Sequence, residues 1–401
     1  MSKQQAQGIS ARTAPASEDT RDPRPLRRLV GLCISLPWLF ASGMLRAAED
    51  GPVDTPVQER VADAPPTGIR IGKDITLSGY ATVQFLAPDG HGQPAPAASS
   101  AIAPGAVDDD SQFSRRARLN LSHLSGIAWW EPAPTWKVLA EIDLQDVVQV
   151  PGHVDDDGPD AAPYVALERL YVDYRASDSI SLRVGKFLTP IGRWNQEHSD
   201  PQVWTVLRPL LSQSAFPTNA TGVMVFGSLP IGSQWVDYQT YASDGGALRS
   251  SPRTHTFDRA VGGRISTTLN PDLQVGISVS RFTQTDLAHT EFDLLGIDGA
   301  WTWGRTEFSG EAIMRHGSDG NTTQEHGWFA QAVTPISTRW WVVGRVEAYR
   351  RVVDVTQNRT ALVGVVYRSE RHWVFKAEWA QPSNGAQGLP SGLLSSLTLV
   401  Y

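Results

Sequence analysis

The 401-residue chain carries 35 basic and 42 acidic residues for a net charge of −7, is 41% hydrophobic and has a negative mean hydropathy. After the first fifty residues no apolar run approaches the roughly 20 residues a spanning helix needs, which excludes a helical membrane fold. The acidic balance, which deepens to −11 once residues 1–48 are set aside, excludes nucleic acid as a partner.

In chain order, the N-terminus comes first. Arg24, Arg27 and Arg28 precede an apolar stretch from Leu29 to Leu45, and small residues follow at Ala41-Ser42-Gly43 and Ala47-Ala48, the pattern of an export signal over residues 1–48. Residues 1–23 are too polar and too long for an ordinary n-region, so the translated start is expected downstream of them. Cys33, the single cysteine, falls inside this signal and leaves the remainder without a thiol for a disulfide or a metal. Residues 49–73 are rich in Pro, Asp and Ala without periodicity and are expected to form a flexible periplasmic lead-in.

From about residue 74 the hydrophobic period becomes two. Ile75, Leu77, Gly79, Ala81, Val83 and Phe85 alternate with Thr76, Ser78, Tyr80, Thr82 and Gln84, as a strand with one apolar and one wet face requires. The same alternation predicts sixteen strands: 74–86, 113–124, 135–145, 164–175, 179–188, 219–227, 233–242, 258–269, 272–282, 292–303, 305–315, 327–334, 339–350, 359–368, 372–381 and 392–401. Each is near the ~10 residues that let a tilted strand cross a bilayer. Long links (87–112, 146–163, 189–218, 243–257, 283–291, 316–326, 351–358, 382–391) alternate with links that are mostly tight, such as Asn270-Pro271 and Gly304. That parity belongs to an all-β, 16-stranded antiparallel transmembrane β-barrel over 74–401, with both termini on one side, rather than to a soluble sandwich. Thirteen Trp remain after Trp38, many of them near strand ends, where amphipathic rings suit the headgroup level.

The polar faces carry charge. Arg116 and Arg118 oppose Ala117, Leu119 and Leu121; Arg345 and Glu347 oppose Val346 and Ala348; Arg305, Glu307, Glu311 and Arg315 oppose Phe308, Ala312 and Met314. In a barrel these charged faces turn inward. The eleven cations and nine carboxylates so assigned, with Arg169, Arg183, Lys376, Asp298 and Glu378 among them, nearly cancel. Residues 189–218 are too long for a simple connection, and they hold Arg193, Arg208, Glu197 and Asp200 beside Trp194, Trp204, Leu207, Leu210 and Leu211. Apolar groups of that size have little reason to stand on an exposed loop, so the segment is expected to fold inward and form the constriction.

Two stretches resemble the porin family named phosphate-selective porin O and P. Phe113-Ser114-Arg115-Arg116-Ala117-Arg118-Leu119 is similar to that family's second-strand Arg-Arg-Ala-Arg-Leu run, and Arg183 to Gly192 is similar to its Val-Gly-x-Phe-x-Thr-Pro-Phe-Gly element leading into the third outer loop. Leu167 to Tyr174 adds a weaker match, and the C-terminal Tyr401 resembles the assembly signal of outer-membrane barrels. The resemblance implies a homotrimeric channel for small hydrophilic solutes in the outer membrane of a Gram-negative bacterium, surrounded by lipid and lipopolysaccharide. The inward-face assignment and the charges of residues 189–218 give Arg116, Arg118, Arg169, Arg183, Arg193, Glu197, Arg208, Arg305 and Arg345 as the expected pore-lining residues. The family's phosphate selectivity goes with arginine ladders and a lysine cluster, whereas only four lysines follow residue 48 here.

Other chemistry is weaker. His198-Ser199-Asp200 is adjacent in sequence, which is no sign of a triad, since triad members meet through the fold. An outer-membrane hydrolase and a non-conducting structural or adhesive barrel stand as the alternatives. The nine histidines show no metal-ligand spacing, and no cofactor is implied. Asp108-Asp109-Asp110 and Asp155-Asp156-Asp157 with Asp160 are read as acidic, solvated outer loops.

Overall fold

A computed structural model describes residues 68–88, 117–151, 163–197, 199–245, 248, 256–284, 291–317, 324–350, 357–369, 373–383 and 391–401. The export signal, most of the lead-in, Arg116, His198 and the two aspartate runs lie outside the described residues.

Seventeen strands form one antiparallel sheet: β1 (Ile69–Ile71), β2 (Ile75–Pro88), β3 (Arg118–Ala133), β4 (Trp136–Pro151), β5 (Tyr164–Ser177), β6 (Ile180–Leu188), β7 (Asn219–Ile231), β8 (Gln234–Asp244), β9 (Phe257–Asn270), β10 (Leu273–Gln284), β11 (Glu291–Trp303), β12 (Thr306–Gly317), β13 (Gln324–Pro335), β14 (Trp340–Arg350), β15 (Asn358–Arg368), β16 (Trp373–Pro382) and β17 (Gly392–Val400). From β2 to β17 each strand pairs with its sequence neighbour, and β17 pairs back with β2 from Gly392↔Pro88 to Val400↔Tyr80. The result is the expected closed sixteen-stranded barrel. Closure satisfies every ladder and leaves no long edge.

Three differences from the sequence reading have physical causes. The second strand runs 118–133 rather than 113–124, because a bulge between Leu121 and His123 throws the apolar alternation out of phase and hides its continuation. β3 then meets β4 across Pro134-Thr135, a tight turn like the others on that rim. The end of the lead-in is strand rather than flexible chain: Ile69, Arg70 and Ile71 pair with Leu77, Thr76 and Ile75. Arg305 falls in the Gly304-Arg305 turn before β12, where Gly304 adopts φ 63°, so the side chain is exposed instead of lining the lumen.

Polarity is inverted relative to a soluble protein. The outer wall presents Val83, Phe85, Leu119, Ile142, Val184, Ile277, Ile297, Val363 and Leu397, all exposed, while Glu141, Asp143, Asp173, Arg264, Asp298, Glu311, Arg345, Glu347, Lys376 and Glu378 are buried within. An apolar exterior of this kind needs an apolar solvent. At the rim of the short turns, Trp301 stacks on Trp303 and Phe308, and Tyr367 sits between Trp340 and Trp373. Such rings suit a bilayer interface.

Candidate pore constriction

Residues 189–218, between β6 and β7, turn into the barrel. Their stems are clasped: Thr189 donates its backbone N–H to Thr218 O at 2.8 Å and its hydroxyl to Pro217 O at 2.8 Å, and Asn195 Nδ2 reaches both Thr189 O and Thr218 O. Gly192 then lets the chain approach the far wall. Its φ is +66°, a conformation that favours glycine, and a Cβ there would lie 2.3 Å from Glu311 Oε2 and displace that carboxylate.

Once inside, the segment has few partners of its own and borrows the wall's charges. The carboxylate of Glu378 accepts the N–H groups of Val206 (2.9 Å) and Leu207 (2.8 Å); Glu347 accepts Leu210 N at 2.9 Å; Glu311 accepts Trp194 N at 2.5 Å. Arg345 donates to Thr205 Oγ1 and Leu207 O, both at 2.9 Å, Lys376 to Asp200 O at 2.7 Å, and Arg368 to Pro201 O and Gln202 O. Backbone groups that water would otherwise solvate are thus held by fixed ions. A short helix, α1 (Leu210–Ser214), begins where Glu347 accepts its first amide.

Apolar packing completes the docking. Ile191, Leu210, Leu211 and Phe216 join Phe187, Tyr241, Phe282, Phe292, Leu294, Ile313 and Tyr349 in the largest apolar cluster. Val206 and Leu207 pack on Leu86, Leu362 and Leu394, and Trp204 on Val333, Val343 and Val366. The apolar residues singled out in the sequence therefore lie against the inner wall, and the apolar clusters of the barrel join this segment to side chains from strands around the wall, Leu86 of β2, Phe187 of β6 and Tyr241 of β8 as well as those of β10–β17.

The opposite wall is acidic. The bulge at Ser122 lets His123 turn toward Asp143 (Nδ1 to Oδ2, 2.7 Å), and a register shift at Glu141/Ile142 leaves Glu168 out of the β4–β5 pairing, where its Oε1 accepts Gln145 Nε2 at 3.3 Å. Arg208, over the Trp194 ring at 5.0 Å, lies within electrostatic reach of Glu168 and Asp200. Burial pulls its guanidinium below the usual value, against those two carboxylates. Burial would raise the Asp200 carboxyl, but His123, Lys376 and Arg208 together hold it below its usual value.

The other expected lining residues are mostly paired. Arg169 meets Glu141 at 2.5 Å, and Arg183 forms a fork to Asp173 at 2.7 and 2.9 Å under the Tyr171 ring. Arg345 is fully buried beneath the loop, Arg118 is half-buried at the start of β3, and Arg193 pairs with Glu197 at 3.3 Å and Gln274. One pair spans two strands: Arg264 of β9 reaches Asp298 of β11 at 2.5 Å over Gly276 of β10, where a Cβ would strike both. The loop's anchors Glu311, Glu347, Lys376 and Glu378 were assigned inward by alternation but not to the constriction, and Arg368 was not assigned. Alternation turned these groups inward but carried no signal of whether they meet water, another side chain or a backbone amide of the loop. Ser199 donates its hydroxyl to Gln202 Oε1 at 2.7 Å.

This architecture matches solved structures. An anion-selective porin from Comamonas acidovorans superposes with a TM-score of 0.52 over 81% of this chain and 98% of that one, at 13% identity. The fold is that of the bacterial outer-membrane porins. Salmonella typhi OmpF in complex with daunomycin gives 0.54 over 84% of this chain and 99% of that one at 7% identity, and the trimer form of OmpT from Vibrio cholerae gives 0.51 over 82% and 98% at 9%. Among curated proteins, an uncharacterized protein of Aquifex aeolicus is 30% identical over 95 residues, a match spanning 23% of this chain and 21% of that protein's length. No protein-family profile matches the sequence.

Proposed function

We propose that the chain is an outer-membrane channel through which small hydrophilic solutes diffuse passively. The observation that carries this reading is the inward loop: a polar barrel is crossed by a segment fixed to one wall, which leaves Arg208 opposite the acidic groups of β3–β5. Fixed charges of both signs across a narrow passage orient dipolar solutes and screen by charge without a cofactor or covalent step. Residues 1–48 serve as the export signal, residues 49–73 as the periplasmic lead-in with its end paired as β1, and lipid with lipopolysaccharide surrounds the apolar wall. A homotrimer is the assembly in keeping with the trimer form of OmpT.

The likeness to phosphate-selective porin O and P rests on the Arg115–Leu119 and Arg183–Gly192 stretches, and the anion-selective Comamonas protein is in keeping with an anion preference. Against a phosphate site, Arg169, Arg183, Arg264 and Arg315 are each already engaged by a carboxylate. The reading is therefore a mixed-charge diffusion pore. Stepwise conductance in planar bilayers tests it, and sealed membranes at micromolar protein would reject it. Ester hydrolysis abolished by Ser199→Ala would instead favour the enzyme.

A further inference from the structure

The outward face of the barrel carries a strip of positive charge away from the pore. Tyr349 and Glu325 point inward, the hydroxyl of one donating to the carboxylate of the other at 2.8 Å, so their chain neighbours Arg350 of β14 and His326 of β13 point outward, where they stand opposite each other in register. Leu362 packs inward against the loop and so turns Arg359 of β15 outward, opposite Ala348 and diagonally across from Arg350. All three lie at the rim of the long links, the outer rim in barrels of this class, and both arginines are exposed.

No carboxylate of the wall balances them: among the described residues the outward positions of β12–β17 hold none. Farther round the same face, outward cations come with partners. Arg281 forks onto Asp293 at 2.7 and 3.1 Å, and Arg259 is paired in register with Asp244. Side chains directly opposite on neighbouring strands lie about 4.5–5.5 Å apart at Cβ and diagonal ones about 7–8 Å, so the three basic groups converge on one spot, where cations repel unless an anion sits among them. Gln357 steadies the Arg359 guanidinium, its Oε1 accepting Nε and Nη2 at 3.4 Å. Beneath the cations the face is apolar: Trp328, Val346 and Val363 are exposed, while Ala348, flanked in register by Trp328 and Arg359, is only 2% exposed. Guanidinium forks match phosphate oxygens in pairs. A phosphate attached to acyl chains sets its charge at the rim and its chains on the apolar band below, whereas a soluble anion gains only the first contact.

We infer that this strip is a docking site for the phosphate of an acylated membrane lipid, with Arg350 and Arg359 taking the phosphate, His326 donating to it from its imidazole, and Trp328, Val346 and Val363 lying along the chains. The inference rests on the reading that lipid surrounds the wall, and it needs no conduction. Native mass spectrometry of the full chain refolded in a neutral detergent, titrated with dimyristoyl phosphatidic acid, dimyristoyl phosphatidylcholine or dimyristoylglycerol, tests it. Phosphatidic acid should bind at least about tenfold more tightly than the other two, Arg350→Gln with Arg359→Gln should weaken it at least about tenfold, and Arg259→Gln should leave it within about twofold. Neither arginine faces the lumen, so the double variant should keep its heat-modifiable gel mobility. Should it lose that mobility, Arg350→Lys with Arg359→Lys, which keeps the charge and removes the fork, takes its place with a weakening of at least about threefold. Equal binding of the three lipids would keep a lipid-facing wall and overturn the site, as would an affinity unmoved by the arginine variants. Displacement of phosphatidic acid by millimolar inorganic phosphate would overturn the lipid as occupant. A lipid-free oligomer dissolved by the double substitution would assign the strip to a contact between copies and overturn the lipid site as well.

Discussion

Glu378→Ala should undock the middle of the inward loop while leaving the barrel closed. In the native chain one carboxylate, 2% exposed, receives two consecutive amides at 2.9 and 2.8 Å. Hydrogen bonds to charged groups contribute about 1.5–3 kcal/mol each. Water entering the lumen would re-solvate part of what is lost, so a net weakening of loop docking by roughly 2–4 kcal/mol is expected. That corresponds to about 30- to 1,000-fold faster opening-limited amide exchange, since each 1.4 kcal/mol is tenfold. Hydrogen exchange read by mass spectrometry on peptides covering 204–212 is the assay, with β16 and β17 peptides as internal controls. Glu378→Gln, which keeps one acceptor oxygen, should fall between. Unchanged exchange at 204–212 in the alanine variant would refute the claim that wall carboxylates hold the loop; equal acceleration in every strand would show that Glu378 instead supports the barrel.

Three further outcomes follow from the same geometry. Gly192→Ala should cost at least about 1–2 kcal/mol from the left-handed conformation alone, before the overlap with Glu311, and should lower the temperature at which the compact gel band converts. Deleting residues 196–210 should raise single-channel conductance, and Arg193→Glu with Arg208→Glu should move the reversal potential toward cations; no change in either variant would place the constriction elsewhere. Because burial and Glu307 raise Glu197, its charge is lost on acidification at a pH above the usual glutamate range, whereas Asp200, held low, keeps its charge below the usual aspartate range. Selectivity should therefore drift toward anions as pH falls through the Glu197 window, and Glu197→Gln should abolish that drift. In stability terms the lowered Asp200 contributes above its usual value and is lost only as pH falls through its depressed one, while protonating Glu197 adds stability as pH falls.

Sixteen strands and the alternation of long and short links were legible because a barrel wall repeats one simple rule, apolar outward and polar inward. The rule fails where the backbone departs from a regular pleat. At Leu121-Ser122-His123 a bulge puts apolar residues three apart, and the strand's continuation to Ala133 reads as loop. The inward course of residues 189–218 was legible from misplaced apolar groups, since Trp204, Leu207 and Leu210 need cover. What fixes the loop was not: Glu347, Glu378 and Arg345 look alike in alternation whether they face water, another side chain or a backbone amide, and only the fold decides which. Arg305 was misassigned by a single residue at a turn, enough to carry a charge from lumen to rim.

The short pairing of β1 with β2 bears on how the barrel keeps its shear. β17 ends where Tyr401 and Gly79 exchange two backbone hydrogen bonds at 3.0 Å, with the Tyr401 hydroxyl donating to Ser125 O. A Cβ on Gly79 would fall 2.7 Å from the tyrosine ring. Below that point the edge of β2 at Ile75 to Leu77 would be free, and a closing strand could slide along it by two residues without turning any side chain to the wrong face. β1 already occupies those three positions. The residues just ahead of the first barrel strand thus act as a ratchet stop, permitting β17 one seat and making the circumference of the wall a property of its N-terminal edge as much as of its sixteen strands.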